Sequence, residues 1–300
     1  MKAENKILKL SVGGALFFSL LGITWGWAID SQMVMFDGMY SFISLVLSMM
    51  SLFISNYIAK KDQEKFPFGK NILEPMVISL KSFVIGAMCI YSLVDAVRTI
   101  IAGGDRMDFD FGLMYSFISV IGCLLIYRYL NKKGKKLSSD LINAESSQWL
   151  MDTILSIAVL VGFTIAVILS FTKFDFINSY IDPTMVIISS LLFIKMPVVG
   201  FIKSFKEILC CSANDEINDD ISVMVKEIEK EYNFEESITR VSKIGRALRI
   251  EIDFIYNKDS KLNNLDDMDF VREKLSKEMK HIKYNKWLNV SFTGDRKWAI

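Results

Sequence analysis

The sequence has very few of the side chains that build soft-metal sites and disulfide frameworks. Histidine occurs once, at His281, and cysteine four times, at Cys89, Cys123, Cys210 and Cys211. No Cys-x-x-Cys pair is present, and Cys210 and Cys211 are adjacent, so neither a disulfide framework nor a zinc knuckle is indicated. Cys89 and Cys123 fall inside apolar runs, where a cysteine behaves as a small hydrophobic residue.

Net charge is also nearly absent. The 35 basic and 34 acidic residues leave a formal charge of +1, so the overall balance suggests no nucleic-acid partner. The apolar part contains no nucleophile motif, no phosphate-binding loop and no histidine base, which makes a membrane-bound enzyme a weak hypothesis.

Long apolar stretches are abundant instead. Apolar residues make up 52% of the chain, and the mean hydropathy is +0.33. A helix that crosses a bilayer needs about 20 such residues. Six runs qualify: about Leu8–Ile29, Met33–Ala59, Ile72–Ala102, Phe111–Leu130, Ala144–Phe171 and Pro183–Ile208. Charged residues crowd the remainder, so we predict a six-helix transmembrane domain over residues 1–209 and a water-soluble domain over residues 210–300.

The loop charges predict how the chain is oriented. Lysines and arginines precede the first run and lie between the second and third runs and between the fourth and fifth, whereas the alternate loops are acidic or neutral. Because cytoplasmic loops of membrane proteins carry an excess of basic residues, both termini are predicted to be cytoplasmic.

The soluble part shows the periodicity of a small α+β domain. Two helices and three strands are predicted: about Asp215–Tyr232, Ile238–Ser242, Ala247–Tyr256, Leu265–Ile282 and Trp287–Phe292. In the second strand every other residue is apolar, namely Leu248, Ile250, Ile252 and Phe254. One covered sheet face is therefore expected.

Asp37 and Asp152 are carboxylates inside apolar runs and need an explanation, because a charge at the centre of a membrane helix costs about 2.5–3.5 kcal/mol on insertion scales. Asp37 and Ser41 lie one helical turn apart in the second run, and Gln148 and Asp152 show the same spacing in the fifth. If these faces meet, their oxygen atoms form a site for a hard cation. A hydrogen-bonded patch that joins two helices is about as good an interpretation of the spacing alone.

The order of several motifs resembles the cation diffusion facilitators, also called cation efflux transporters. The matching stretches are Met35-Phe36-Asp37-Gly38-Met39-Tyr40-Ser41, Phe66-Pro67-Phe68-Gly69-Lys70 with Glu74, Gln148-Trp149-Leu150-Met151-Asp152, and Asp182-Pro183 opening the sixth run. The resemblance implies a homodimer and a ferredoxin-like cytoplasmic domain with the order αββαβ.

By position, the family's transport site maps to Asp37, Ser41, Gln148 and Asp152. Ser41 stands where an aspartate is usual, and Gln148 where a histidine or aspartate is usual. Zinc prefers nitrogen and sulfur ligands, so we expect Mn²⁺, Fe²⁺ or Mg²⁺ in preference to Zn²⁺, and a monovalent ion also stays open. Whether Glu145 replaces a lost ligand stays open as well.

Auxiliary metal sites of the family look absent. Phe66 and Lys70 stand where a loop site needs histidine, and His281 alone cannot build the zinc cluster of the cytoplasmic domain. His281 is expected to be a surface residue near a helix end. Lys81 and Lys195 lie well inside apolar runs, and we expect that neither touches the transport site.

These observations predict a transporter that exports a divalent cation, with protons as the exchanged ion. Carboxylates left without their cation in a low-dielectric site would bind protons instead. A bacterial-type inner (plasma) membrane fits the short loops. The alternative function is a non-transporting regulatory subunit of a related transporter, which the two departures from the family's site motivate.

Overall fold

We describe the fold from a computed structural model of the chain. It covers residues 2–59, 64–105, 109–137, 140–173, 175–245, 247–262, 264–282 and 284–299. The chain divides into two compact units: Met1–Leu52 with Leu80–Gly200, and Phe53–Ser79 with Phe201–Ile300. These compact units do not test the predicted boundary between a transmembrane domain over residues 1–209 and a soluble domain over residues 210–300, which stays a prediction.

The helical part agrees with the expected spans. Its helices are α1 (Lys2–Ala28), α2 (Gln32–Ala59), α3 (Leu73–Ile101), α4 (Phe109–Leu137), α5 (Asp140–Ser170), α6 (Asn178–Phe193) and α7 (Lys195–Ile208). Within the described residues, six helical stretches are long and apolar enough to cross a membrane, judged by length and composition. The prediction of six membrane-spanning segments is confirmed, although α1, α4 and α5 continue past the apolar runs into polar residues.

The sixth span differs from the expected single helix. It begins at Asn178, so Asp182 and Pro183 lie inside the helix instead of opening it. It is also interrupted at Ile194, which separates α6 from α7. Pro197 explains the interruption, because a proline lacks the N–H group that would bond to the carbonyl of Phe193, and its ring crowds that carbonyl.

The beginning of α2 is held by a buried carboxylate of α6. Asp182 accepts hydrogen bonds from the Ser31 hydroxyl at 2.6 Å, from the backbone N–H of Gln32 at 2.7 Å and from that of Met33 at 3.3 Å. The first N–H groups of a helix have no partner within the helix, and its N-terminus carries partial positive charge. Asp182 therefore satisfies the first N–H groups of α2, and the Ser31 hydroxyl accepts a hydrogen bond from the N–H of Val34.

Helices α1 and α2 cross at closely packed glycines. A Cβ atom built on Gly38 would lie 2.5 Å from the backbone nitrogen of Ile23 and 2.6 Å from the carbonyl carbon of Gly22. Small residues of this kind allow two helix backbones to approach in a membrane. The crossing lies beside Asp37, so it also fixes the position of that carboxylate.

The core of the first unit lies between helices α2, α4 and α5, among others. Its largest fully buried side chains are Met33, Tyr115, Leu130 and Phe163. Helices α4 and α5 pack against each other extensively, and α1 contacts both of them.

The C-terminal part forms the predicted α+β domain. It contains α8 (Asp215–Tyr232), β1 (Glu236–Ile244), β2 (Ala247–Ile255), α9 (Leu265–Glu278) and β3 (Asn285–Thr293). The strand order is β1-β2-β3, with β1 antiparallel and β3 parallel to the central strand β2. The α+β class and the αββαβ order are confirmed.

The core of this domain lies on one sheet face. Leu248, Ile250, Ile252 and Phe254 of β2 are all fully buried, as their alternation predicted. They share one cluster with residues of α8 and α9, so both helices cover the same face of the sheet.

The glycine crossing leads to a stability prediction. Gly38→Ala should lower the free energy of unfolding by about 1–3 kcal/mol, because the two backbones must move apart. The measurement is the thermal unfolding midpoint of the purified protein in detergent. Gly13 is the matched control, since a Cβ atom there has nothing within 4 Å. Gly13→Ala should leave the midpoint unchanged or slightly raised, and equal losses in the two variants would contradict the close crossing.

Candidate metal site

The four residues predicted to bind a cation line a single cavity in the first compact unit. The cavity has a volume of about 80 Å³, and Asp37, Ser41, Gln148 and Asp152 all lie in its wall. Asp37 and Ser41 come from one face of α2, and Gln148 and Asp152 from one face of α5. The two helix faces therefore meet, which the spacing alone could not establish.

Serine hydroxyl groups lie between apolar side chains in the remaining wall. The serines that line the cavity are Ser11, Ser41, Ser44, Ser48, Ser119 and Ser156. The Ser119 and Ser156 hydroxyls lie 2.9 Å apart, and Trp149 donates to the Ser11 hydroxyl at 2.8 Å. Between apolar side chains the wall thus offers carboxylate, hydroxyl and amide oxygen atoms, and the sulfur atoms of Met49 and Cys123.

This donor set suits a hard cation. Among the described residues, no three His, Cys, Asp or Glu side chains gather closely enough to hold a metal ion. An ion between Asp37 and Asp152 would therefore depend on two acidic groups, neutral oxygens and water. Mg²⁺ keeps several of its waters when one or two carboxylates bind it, and a cavity of this volume has room for a few water molecules.

Tyr115 orients one of the two carboxylates. Its hydroxyl donates to Oδ2 of Asp37 at 2.9 Å, and the residue is only 2% exposed. A Cβ atom on Gly22 would come within 2.7 Å of the same hydroxyl, so the glycine crossing leaves just enough space for it. Sequence reasoning did not find Tyr115, because a tyrosine in an apolar run looks like an ordinary core residue.

Comparison with known proteins identifies the family of the transmembrane part. Residues 8–209, about two thirds of the chain, match the cation efflux transmembrane domain. The chain belongs to the cation efflux family. The prediction that it is a member of this family, and not an enzyme, is confirmed at the level of the family.

Three curated relatives also match part of the chain. The manganese efflux system protein MneP of Bacillus subtilis is 27% identical over 52% of this chain and 50% of its own length. The magnetosome protein MamB of a Magnetospira species is 25% identical over 53% of each chain. An uncharacterized transporter of Methanocaldococcus jannaschii is 27% identical over 54% of this chain and 57% of its own. The chain thus spans about half the length of the curated relatives it matches.

The two membrane lysines of this cation efflux protein lie in different surroundings. Lys195 is exposed at the start of α7. Lys81 is half-buried, and its ammonium group donates to the hydroxyl of Ser48 at 3.2 Å. Ser48 lines the cavity, but neither lysine is among the residues that line it, and the expectation that neither lysine touches the site stays a prediction. The side chain of Glu145 lies outside the described part of the structure.

Lys70 lies at the loop position where the family resemblance would require a histidine. It is 6% exposed, and its ammonium group lies 4.1 Å from the ring centre of Tyr57 and 4.9 Å from that of Phe66. A cation held over aromatic rings is attracted by their negative faces. The ammonium group of Lys70 thus places a positive charge in this loop. The expected absence of a metal site in the loop stays a prediction.

His281 is on the surface at the end of α9, as predicted. Its Nε2 atom lies 2.8 Å from a carboxylate oxygen of Asp220, and Nδ1 lies 2.8 Å from the carbonyl oxygen of Glu278. These hydrogen bonds raise the pKa of His281 above the ordinary value of 6.5. The pair therefore contributes stability that is complete below pH 6.5 and is lost as the pH rises through the raised pKa.

The role of Tyr115 can be tested by removing one oxygen atom. Tyr115→Phe should weaken Mn²⁺ binding to the purified protein by about tenfold, since a hydrogen bond to a charged group contributes about 1.5–3 kcal/mol and orients Asp37. Equilibrium binding of Mn²⁺ is the measurement. Tyr127→Phe on the same helix is the control, because the Tyr127 hydroxyl bonds to Asn131 instead. If the Tyr115→Phe variant bound Mn²⁺ with the affinity of the wild type, Tyr115 would have no role in orienting Asp37 for the cation.

A second prediction concerns His281, which gives a single imidazole signal because it is the only histidine in the chain. In a nuclear magnetic resonance titration of histidine-labelled protein, the midpoint should lie above 6.5. Asp220→Asn should move the midpoint downward, because the negative partner is lost, while Asp219→Asn should leave it nearly unchanged. Equal midpoints in the wild type and Asp220→Asn would show that the pair does not form in solution.

Proposed function

We propose that this cation efflux protein exports a divalent metal cation from the cytoplasm through the cavity lined by Asp37, Ser41, Gln148 and Asp152. One observation carries the proposal: two carboxylates from different membrane helices line a single small cavity inside a cation efflux domain. A patch that only joined helices would not need an open space between its carboxylates.

The residues have different roles in this proposal. Asp37 and Asp152 supply the negative charge that attracts and neutralises the cation. Ser41 and Gln148 contribute neutral oxygen atoms, and water completes the coordination shell. Oxygen ligands of this kind suit Mn²⁺ and Mg²⁺ better than Zn²⁺, which favours imidazole and thiolate.

Manganese is our first choice among the hard cations, with Fe²⁺ and Mg²⁺ next. Its support is the relative named as a manganese efflux system protein, which is 27% identical over about half of this chain. The oxygen donors in the cavity wall separately favour hard cations over Zn²⁺.

Proton exchange follows from the charge that the cation leaves behind. When the ion departs, two carboxylates face each other in a poorly solvated space, which favours their neutral forms. Protons can then replace the ion at Asp37 and Asp152 without any separate proton site. Alternating access would rock the helices that carry the site against the rest of the membrane part.

The assembly and its membrane are further parts of the proposal. We infer a homodimer in a bacterial-type inner membrane with both termini in the cytoplasm. The family resemblance supports the dimer, and the distribution of basic loops supports the orientation. Cross-linking that captured only monomers in membranes would contradict the dimer.

Flux measurements in proteoliposomes test the transport function. Mn²⁺, Mg²⁺, Fe²⁺, Co²⁺, Zn²⁺ and Cd²⁺ are offered separately to the wild type, to the double variant Asp37→Ala/Asp152→Ala and to the control Asp95→Ala, which changes an acidic residue of α3 that does not line the cavity. Saturable flux of a hard cation should appear in the wild type and the control and disappear in the double variant. An imposed proton gradient should change its rate, and indifference to that gradient would rule out proton exchange.

Two other results would change the interpretation. Preferred flux of zinc or cadmium would show that nitrogen or sulfur ligands contribute. A folded protein without flux of any ion, recovered together with an intact family member, would favour the regulatory subunit.

A further inference from the structure

The candidate transport cavity is closed at one end and open at the other. Its wall residues on α2 extend from Asp37 to Met49, about 18 Å along the helix axis and more than half of the ~30 Å hydrocarbon core of a bilayer. At the end that contains Asp37, Ser119 and Ser156 are each 3% exposed and hydrogen-bond to each other. At the other end, Met49 is 54% exposed, and Gln148 of α5 is exposed as well.

Ser44 is a buried polar residue between these two ends. It lies two turns of α2 beyond Asp37, about 10 Å along the helix axis. It lines the cavity and is 7% exposed. The same wall contains the apolar side chains of Val12, Ala15 and Leu45, so a cation on its way to Asp37 passes between apolar groups and a few serine oxygens.

The hydroxyl group of Ser44 has no hydrogen-bond partner among the described residues. Serines inside helices commonly donate to a carbonyl group of the preceding turn, as Ser19 does to Leu16 and Ser116 does to Leu113, both at 2.9 Å. A buried hydroxyl that stays unpaired lowers the stability of the fold. The Ser44 oxygen is therefore available to a water molecule or to a cation in the cavity.

A fixed oxygen at this position would help a hydrated cation to pass. Small divalent cations hold their water ligands strongly and give them up reluctantly. Apolar walls cannot replace a water that is lost in a narrow space, whereas a protein oxygen can take its place. A hydroxyl that acts in this way lowers the barrier between the open end and the carboxylates.

We propose that Ser44 is an oxygen ligand on the entry path of the cation, which it meets before it reaches Asp37 and Asp152. The inference rests on the proposed transport function. In the proposed orientation the C-terminal end of α2 is cytoplasmic, so the open end of the cavity admits metal from the cytoplasm. Ser44 then acts on the rate of capture, and the carboxylates hold the captured ion.

The test measures how fast and how tightly the purified protein binds Mn²⁺. In stopped-flow mixing with a fluorescent Mn²⁺ indicator, Ser44→Ala should lower the association rate constant by about five- to tenfold, since one hydrogen-bonding oxygen is lost. The Kd should stay at the wild-type value, because a higher barrier slows entry and return equally. In proteoliposomes, kcat/KM for Mn²⁺ flux should fall by the same factor.

Two further variants separate the lost oxygen from altered packing. Ser44→Cys keeps the size of the side chain but replaces the oxygen, and it should slow capture of Mn²⁺ as Ser44→Ala does. Ser190→Ala is the matched control. The Ser190 hydroxyl is also buried without a partner among the described residues, at 1% exposure, but Ser190 does not line the cavity. Ser190→Ala should bind Mn²⁺ at the wild-type rate.

Three results would overturn the inference. They are wild-type association in both Ser44 variants, equal slowing in Ser190→Ala, and a raised Kd with an unchanged association rate constant, which would place Ser44 in the final site. If Mn²⁺ binding is lost in Asp37→Ala and unaltered in the Ser44 variants, the transport proposal stands without this role. A wild type that binds no Mn²⁺ would overturn both.

Discussion

A carboxylate inside a lipid-spanning helix must find its stabilisation within the protein, and this constraint organises the helical part of the chain. Asp182 and Asp37 meet it in different ways. Asp182 is 3% exposed and accepts hydrogen bonds from the first turn of α2, so its charge serves to hold that helix. Asp37 accepts a hydrogen bond from Tyr115 and also faces a cavity. A carboxylate that faces a cavity can take a cation or a proton, and one enclosed by helix N–H groups cannot do so without releasing the helix.

The two acidic groups are connected through α2. Asp182 fixes the start of this helix, and the contact between Gly22 and Gly38 fixes its distance from α1. Asp37 lies between these two constraints, so its position is determined by the packing of three helices. We regard this rigidity as the reason that one side chain, Tyr115, can orient the carboxylate so closely.

Much of the architecture could be predicted from the sequence, because bilayer thickness and strand alternation leave strong periodic signals. The six spans and the buried face of β2 are examples. Ser41 and Asp152 line the same cavity, but the spacing established only that each shares a helix face with its partner. Whether those two faces meet depends on tertiary packing.

The remaining features left weaker signals or none. The helix break at Ile194 left a weak signal, because Pro197 follows it closely. The residues around it are apolar throughout, so they looked like one continuous span. Tyr115 had none, because nothing in the sequence tells which tyrosine of an apolar helix reaches Asp37. The contact of Lys81 with Ser48 depends on how α3 is rotated against α2, which hydropathy does not determine. Side chains that act across two helices thus become visible only in the folded structure.

The central claim is that the cavity between α2 and α5 binds the transported cation through the oxygen atoms of its wall. The most direct measurement is X-ray anomalous scattering at the manganese edge from crystals grown with Mn²⁺. Our account predicts a peak within coordination distance of Asp37 and Asp152, lost in Asp37→Ala. A peak confined to the C-terminal domain, with none in the cavity, would contradict it.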